Sequence, residues 1–210
     1  MRIPARQECY RIMHAMQMMD HIVCHSLQVC RIALFLSDSL EADLNADLVQ
    51  AAALLHDITK TRGLQTHENH AKTGKQLLVD MGYPEVGAIV GQHVLLDEYF
   101  SSDSPTEAEI VNYADKRVVH DKVATLSQRI EYIMGRYGTD PERRGYIRMM
   151  GEKTKRLEDR LFRFCPFSPE EVESLLGPDT CSMEFTRYGE LHNTIKEPLD
   201  THKTCVGENV

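Results

Sequence analysis

Apolar residues recur along most of the chain at spacings of three and four positions, the period of an α-helix with one buried face. In residues 21–37, for example, Ile22, Val29, Ile32 and Leu36 fall on one stripe. No segment shows the sustained two-residue alternation of β-branched residues that is typical of a half-buried strand. The pattern therefore predicts an all-α fold of about seven to nine helices, with no internal repeat.

Capping residues and helix breakers divide this pattern into separate helices. Thr106 and Glu109 have the spacing of a capping box, and Gly138 ends a helix. Polar residues at 61–69 and 97–105 are predicted to form loops. The predicted helices span residues 4–19, 21–37, 45–57, 70–81, 86–93, 106–115, 125–137, 141–164 and 168–176.

The helical periodicity ends near Gly177, where a Gly-Pro pair breaks the last predicted helix. One domain is therefore predicted for residues 1–177, with the chemical motifs described below inside residues 20–137. After this domain, residues 178–210 show little periodicity and mixed polarity. They are predicted to form a flexible tail.

Composition and charge narrow the class of protein. Hydrophobic residues make up 42% of the chain and charged residues 27%, as in ordinary globular proteins. The net charge of −8 argues against a nucleic-acid polymer or a membrane surface as partner, and no apolar run approaches the roughly 18 residues of a membrane-spanning helix. The six cysteines form no CxxC pair, so a cytoplasmic location is predicted. A monomer and a homodimer both remain open.

The stretch from Ala51 to Lys60 gives the first indication of chemistry. Its apolar residues run directly into His56 and Asp57, and Lys60 follows one turn later. Two ionisable residues at the inner end of a buried helix are costly unless they are paired or bind a metal. Because adjacent helix residues point about 100° apart, one cation could contact both side chains.

Four further residues of the same types lie on apolar helix faces or at helix ends: His25, His70, His93 and Asp115. Each alone has an ordinary structural explanation, and His67 is an alternative to His70. Mixed histidine and carboxylate ligands suit divalent Fe, Mn, Co, Ni or Zn rather than a structural cysteine site. Six ligands exceed what one tetrahedral zinc uses, whereas two ions bridged by a carboxylate would use them all. One or two divalent transition-metal ions are therefore predicted.

Taken in order, these motifs resemble the HD superfamily of metal-dependent phosphohydrolases, and the flanking sequence is similar to small bacterial HD proteins of unassigned substrate. The resemblance extends over about residues 8–137. It rests on His-Ser-Leu-Gln-Val at 25–29, Ala-Leu-Leu-His-Asp-Ile-Thr-Lys at 53–60, His-Ala-Lys-Thr-Gly at 70–74, His93, and Ala-Asp-Lys at 114–116.

The resemblance implies an HD-domain helical bundle with metal ligands at defined positions. The implied ligands of the first metal are His25, His56, Asp57 and Asp115. Asp57 would bridge to a second metal held by His70 and His93. The chain departs from the family where Val94 follows His93, since the family often has paired histidines there, and one-metal and two-metal sites both stay open. Thr59 stands where the family prefers Gly, and no Gly-Tyr-Pro signature of the branch that degrades cyclic di-GMP is present in the expected context.

The activity that the resemblance implies is hydrolysis of a small phosphorylated metabolite, a nucleotide or a dinucleotide, by metal-activated water. The predicted catalytic residues are Asp57, as the carboxylate between the metals, and Lys60 and Lys116, because positive side chains can offset charge on phosphoryl oxygens. Arg117 is a weaker candidate, and basic residues such as Arg143 are predicted to form a solvated face. Two alternatives remain open: an HD-fold regulatory or binding module without turnover, and a di-iron oxygenase on the same fold.

Overall fold

Eleven α-helices make up almost all of the secondary structure in residues 1–40, 42–100 and 102–194, which are the residues that the computed structural model describes. The predicted all-α fold is confirmed. The eleven helices exceed the predicted seven to nine because one forms inside a predicted loop and another inside the predicted tail. None of the helices in this part of the chain has the length and apolar character that crossing a membrane requires. The helices are α1 (Arg6–Ala15), α2 (Asp20–Ser39), α3 (Ala46–Leu55), α4 (Lys60–Thr66), α5 (His70–Asp80), α6 (Pro84–Val90), α7 (Glu107–Asp115), α8 (Leu126–Tyr137), α9 (Pro141–Leu161), α10 (Val172–Leu175) and α11 (Cys181–Thr194).

The long helix α2 lies at the centre of the bundle, and α3, α7 and α11 pack against it. Its neighbour α3 is buried along most of its length. The small residues Ala51, Ala52 and Ala53 allow other helices to approach closely, while Leu54 and Leu55 fill the core. Burying each leucine stabilises the fold by about 2 kcal/mol. The C-terminal end of α3, where the site begins, is therefore held firmly.

Side-chain caps determine where the helices that carry the site begin. Asn45 caps α3 and Asn69 caps α5, each through a side-chain oxygen that accepts an amide hydrogen bond. The capping box predicted at α7 is confirmed, because the Thr106 hydroxyl and the Glu109 carboxylate each accept from the other residue's amide. A cap of this kind stabilises a helix by about 1 kcal/mol. Since α5 starts directly after Asn69, the backbone of His70 is fixed at its first position.

A short helix, α4, replaces most of the loop predicted for residues 61–69. The loop prediction was wrong for this stretch because only Gly63 disfavours a helix there, at a cost of about 1 kcal/mol. The Arg62 side chain forms an ion pair with Glu68 at 2.6 Å across the end of the helix. His67 then ends α4 in the left-handed conformation, with a φ of 60°.

A small antiparallel hairpin, β1 (Val118–Val119) and β2 (Lys122–Val123), connects α7 to α8. The sequence pattern predicts no strand here. Each strand is only two residues long, which is too short for a two-residue alternation to show. His120 turns the chain between the strands with a φ of 56°. The hairpin matters for the site because the main-chain oxygen of His120 faces α2.

Helix α11 lies within the segment predicted as a flexible tail, and it packs on α1 and α2. The rings of Tyr10 and Tyr188 meet edge to face at 5.7 Å. The tail prediction is therefore wrong for residues 181–194. The buried residues Cys181 and Tyr188 lie seven positions apart, a helical spacing that the polar residues between them obscure. Residues 195–210 fall outside the described part of the chain.

Candidate metal centre

The six residues that the sequence nominates as metal ligands converge in the structure. They form two groups, and the ligand atoms within each group lie within 4.8 Å of one another. The first group is His25, His56 and Asp115, and the second is Asp57, His70 and His93. In the fold, His25 lies within α2, His56 and Asp57 follow α3, His70 begins α5, His93 follows α6, and Asp115 ends α7.

In the first group, His25 and Asp115 are in direct contact. Nε2 of His25 lies 3.0 Å from Oδ1 of Asp115, and Nε2 of His56 lies 3.8 Å from the same oxygen. All three side chains are buried. Two imidazole nitrogens and a carboxylate oxygen are suitable ligands for a borderline divalent cation.

Asp57 faces both groups, with a different oxygen toward each. Its Oδ2 lies 3.3 Å from Nε2 of His56. Its Oδ1 lies 3.3 Å from Nε2 of His70 and 3.5 Å from Nε2 of His93. A carboxylate placed in this way could coordinate one cation through each oxygen.

Main-chain carbonyl groups fix the tautomers of three histidines. Nδ1 of His25, His56 and His93 lies 2.9, 2.8 and 2.7 Å, respectively, from a main-chain oxygen. Because a carbonyl oxygen only accepts hydrogen bonds, Nδ1 must donate, and in the neutral ring the lone pair is left on Nε2. Nε2 is also the atom that each ring directs toward the ligand groups. Histidines that bind metals in proteins are commonly oriented in this way.

Two buried polar atoms at the centre of the cluster, Nε2 of His56 and Oδ1 of Asp57, have no hydrogen-bond partner among the described residues. Buried polar atoms are nearly always paired, and an unpaired one costs about 1–3 kcal/mol. A cation would satisfy both atoms, and the histidine and carboxylate atoms around them form a donor set that fits a divalent metal.

Cationic side chains surround the two carboxylates. Nζ of Lys60 lies 2.7 Å from Oδ2 of Asp57. Nζ of Lys116 lies 3.0 Å from Oδ2 of Asp115, and Nη2 of Arg129 lies 3.3 Å from its Oδ1. Burial alone would raise the pKa of both carboxyl groups, but the nearby positive charges outweigh it and hold both pKa values well below the usual range. Both aspartates are therefore ionised at neutral pH and able to act as ligands.

Burial decides the charge of most of the histidines. It lowers the pKa of His25 and His93, and it lowers the pKa of His70 to about 4. His56 is the exception: burial lowers its pKa, but the Asp57 carboxylate outweighs this effect, and the pKa lies above the ordinary value. The other three rings are neutral near pH 7, the state in which imidazole binds metals.

Residues 22–118 match the family model of the HD domain, and this segment contains every member of the two ligand groups. This segment of the chain belongs to the HD domain family. No significant match was found among curated proteins or among solved structures. Helices α8 to α11 lie outside the segment that matches the HD domain.

Two further candidates from the sequence lie away from the ligand groups of the HD domain. His67 is exposed at the end of α4 and belongs to neither group. His70, not His67, is the member of the second group. Arg117 is buried, and its guanidinium donates to the Tyr113 hydroxyl and to two main-chain oxygens. These bonds tie α7 to its neighbours, which is a structural function.

The two lysines predicted to be catalytic differ in their surroundings. Lys60 lines a cavity next to the HD site, and 30% of its side chain is exposed. Lys116 is buried and donates both to Asp115 and to the main-chain oxygen of His93. Lys60 can therefore contact a ligand in the cavity while it holds Asp57. A contact between Lys116 and a phosphoryl group stays a prediction.

The cavity has a volume of about 950 Å³ and is bounded both by ligand-group residues of the HD domain and by α8 and α9. The residues of α8 that line it carry none of the sequence motifs that indicate the metal site. The spacing of Arg129, Tyr132 and Arg136 places all three on one face of α8, but spacing alone does not show that this face lines the cavity. Arg143 of α9 is exposed, as predicted for a solvated face, but it also lines the cavity.

Proposed function

We propose that the chain is a metal-dependent phosphohydrolase that acts on a small phosphorylated metabolite, a nucleotide or a dinucleotide. HD domains are typically metal-dependent hydrolases, and the HD segment of this chain contains the whole cluster. The observation that carries the proposal is the Asp57 carboxylate, which turns one oxygen toward each of two buried ligand groups. Such a carboxylate can hold two cations beside one cavity, as in other two-metal sites that cleave phosphate esters.

Both cations of the proposed site would be divalent transition metals. Histidine and carboxylate ligands together favour Fe, Mn, Co, Ni or Zn over Mg and Ca. In the proposal, the ligands of the first cation are His25, His56, Asp57 and Asp115. The second cation would be held by His70 and His93, with Asp57 bridging the two.

The cations and the protein contribute different parts of the proposed chemistry. Bound divalent metals would supply hydroxide at neutral pH, because they lower the pKa of bound water toward about 7. Lys60 can neutralise charge on phosphoryl oxygens, since its ammonium reaches the cavity. Lys116 holds Asp115 and the main chain of His93, so in this proposal it acts as a positioning residue.

A product-release screen with each candidate metal tests the proposal. Purified protein should release phosphate or a nucleotide from at least one nucleotide or dinucleotide. Asp57→Asn should lower this activity at least about 1,000-fold, because it removes a charged ligand shared by both groups. Asp97→Asn changes an exposed aspartate outside the cluster and should keep the activity of the wild type. Oxygen uptake without product release would instead indicate an oxygenase, and metal binding with neither activity would indicate a binding module.

We also propose that the protein is located in the cytoplasm. The described cysteines are free thiols, and three of them, Cys9, Cys30 and Cys181, are buried. A reducing compartment keeps thiols in this state.

A further inference from the structure

The cavity beside the ligand groups is larger than a phosphoryl group requires. Its volume of about 950 Å³ lies near the upper end of the range of cavities that enclose drug-sized molecules, about 300–1,000 Å³. A phosphoryl group at Asp57 and Lys60 would occupy only the end of the cavity that the ligand groups form. The remaining space, bounded by α8 and α9, is available for the part of the substrate to which the phosphate is attached.

Helices α8 and α9 present both aromatic rings and arginines to this space, and we call this surface the α8–α9 wall. Its members are Arg129, Tyr132, Arg136, Tyr137, Arg143 and Tyr146. Tyr132 already meets the ring of His120 at 5.0 Å. Tyr137 and Tyr146 are 51% and 45% exposed, and within the described part of the chain neither stacks on a ring or on a cation. The faces of these two rings are therefore available to a ligand.

Arg129 connects the α8–α9 wall to the ligand groups. Its Nη2 lies 3.3 Å from Oδ1 of Asp115, while its buried Nε has no hydrogen-bond partner among the residues described. A guanidinium is always charged and carries five N–H donors in one plane, a geometry that suits phosphate oxygens. Arg129 thus keeps a donor for an anion beside the ligand groups, in the same cavity that the two exposed tyrosines line.

The basic character of the wall contrasts with the rest of the molecule. The chain has a net charge of −8, yet three arginines line this one side of the cavity. A local excess of positive charge attracts anionic ligands. Aromatic side chains beside it stack on any nucleobase, because every base has a π-face. A sugar phosphate or glycerol phosphate would leave the exposed rings without a stacking partner.

We propose that the α8–α9 wall binds the nucleoside portion of a phosphorylated substrate. Tyr137 and Tyr146 stack on the base, and Arg129 donates to a phosphate oxygen. The placement of the phosphate rests on the proposed function, whereas the stacking on the base does not. The wall lies outside residues 22–118. One segment of the chain therefore binds the metal, and another determines which substrate binds.

Adenosine is the probe for this site because it has a base and a ribose but no phosphate. Saturation-transfer NMR on the full chain should show adenosine bound through its base protons and should show no binding of ribose. Tyr137→Ala and Tyr146→Ala should weaken adenosine binding about 5- to 100-fold, the loss expected when one stacking contact is removed. Tyr146→Phe keeps the ring and should bind like the wild type. Arg148→Ala changes an exposed residue of α9 outside the cavity, and this variant should also bind adenosine as tightly as the wild type.

Three results would overturn the nucleoside site: no binding of adenosine, equal binding of adenosine and ribose, or unchanged affinity in both tyrosine-to-alanine variants. Adenosine has no phosphate to lose, so none of these results bears on hydrolysis. If the protein releases phosphate from ribose 5-phosphate but does not bind adenosine, the nucleoside site is contradicted and the proposed hydrolase function is not. Conversely, if adenosine binds through the tyrosines but no substrate yields a product, the proposed hydrolase function is contradicted and the nucleoside site is not.

Discussion

Nδ1 of His25, His56 and His93 is held in each case by a main-chain carbonyl group. Their orientation therefore depends on the backbone of α3, of α6 and of the turn between β1 and β2. Rings fixed in this way lose little freedom when a ligand binds, which lowers the cost of binding. The ligand atoms are thus oriented by secondary structure before a cation arrives.

Replacing His70 or His93 by alanine should remove the second cation and leave the first. Either change deletes a nitrogen ligand of the second group, while the first group keeps all of its members. Elemental mass spectrometry should then report about one metal per chain instead of two. Activity should fall by about 100-fold or more, because the nucleophile and the phosphoryl group would no longer share two cations.

His67→Ala is the matched control for this prediction. His67 lies three residues before His70, but it is exposed and belongs to neither ligand group. Its removal should leave metal content and activity unchanged. A wild type that holds one metal, with activity that is insensitive to His93→Ala, would contradict the two-metal arrangement and leave hydrolysis itself unaffected.

Lys60→Met should separate substrate recognition from metal binding. The variant loses a charged donor at the cavity but no metal ligand, so metal content should match that of the wild type. A hydrogen bond to a charged group is worth about 1.5–3 kcal/mol, so kcat/KM should fall about 10- to 100-fold. Lys72→Met, at an exposed position on α5, is the control. Loss of metal from Lys60→Met would show instead that Lys60 acts by holding Asp57.

The members of the two ligand groups are recognisable in the sequence because each is an ionisable residue next to apolar helical sequence. Their order along the chain also matches the HD family. Arg129, Tyr137 and Tyr146 cannot be found in this way, since they follow the matched segment. Which face of α8 lines the cavity depends on how α8 and α9 pack, and periodicity within one helix does not encode that packing.

At the scale of helices and strands, α11 contributes stability rather than chemistry. Tyr188→Ala should lower the free energy of unfolding by about 3 kcal/mol, because the ring is only 8% exposed and packs on Tyr10. Met183→Ala, on the same helix but at a residue that is 57% exposed, should change it by less than about 0.5 kcal/mol. Urea denaturation followed by circular dichroism measures both. Equally small effects of the two substitutions would contradict the docking of α11.

The helices that the sequence predicts correctly are those with strong local signals. The capping box at Thr106 and the side-chain cap at Asn69 mark helix starts within a few residues. The helix α4 and the hairpin of β1 and β2 have no such signal, because α4 contains Gly63 and each strand is two residues long. Helix α11 depends on contacts with α1 and α2, which are distant in the chain.

At the scale of the whole molecule, different segments serve different tasks. Residues 22–118 hold the ligand groups, and α8 and α9 bound the cavity in which a substrate would lie. Helices α1 and α11 pack together, and Arg6 forms an ion pair with Glu184 at 3.3 Å between them. Substitutions of ligand-group residues should therefore change metal content. Those of the α8 and α9 residues that line the cavity should change substrate preference, and those of buried α11 residues should change stability.

The metal content of the wild type and of Asp57→Ala tests whether Asp57 is a ligand shared by two metals. Asp57 turns an oxygen toward each ligand group, so its removal should weaken both sites together. Elemental mass spectrometry should find about two divalent metals per chain in the wild type and fewer than about one in Asp57→Ala. Far-ultraviolet circular dichroism checks that the variant remains helical. A helical Asp57→Ala protein with the full metal content and activity of the wild type would show that Asp57 is not a metal ligand.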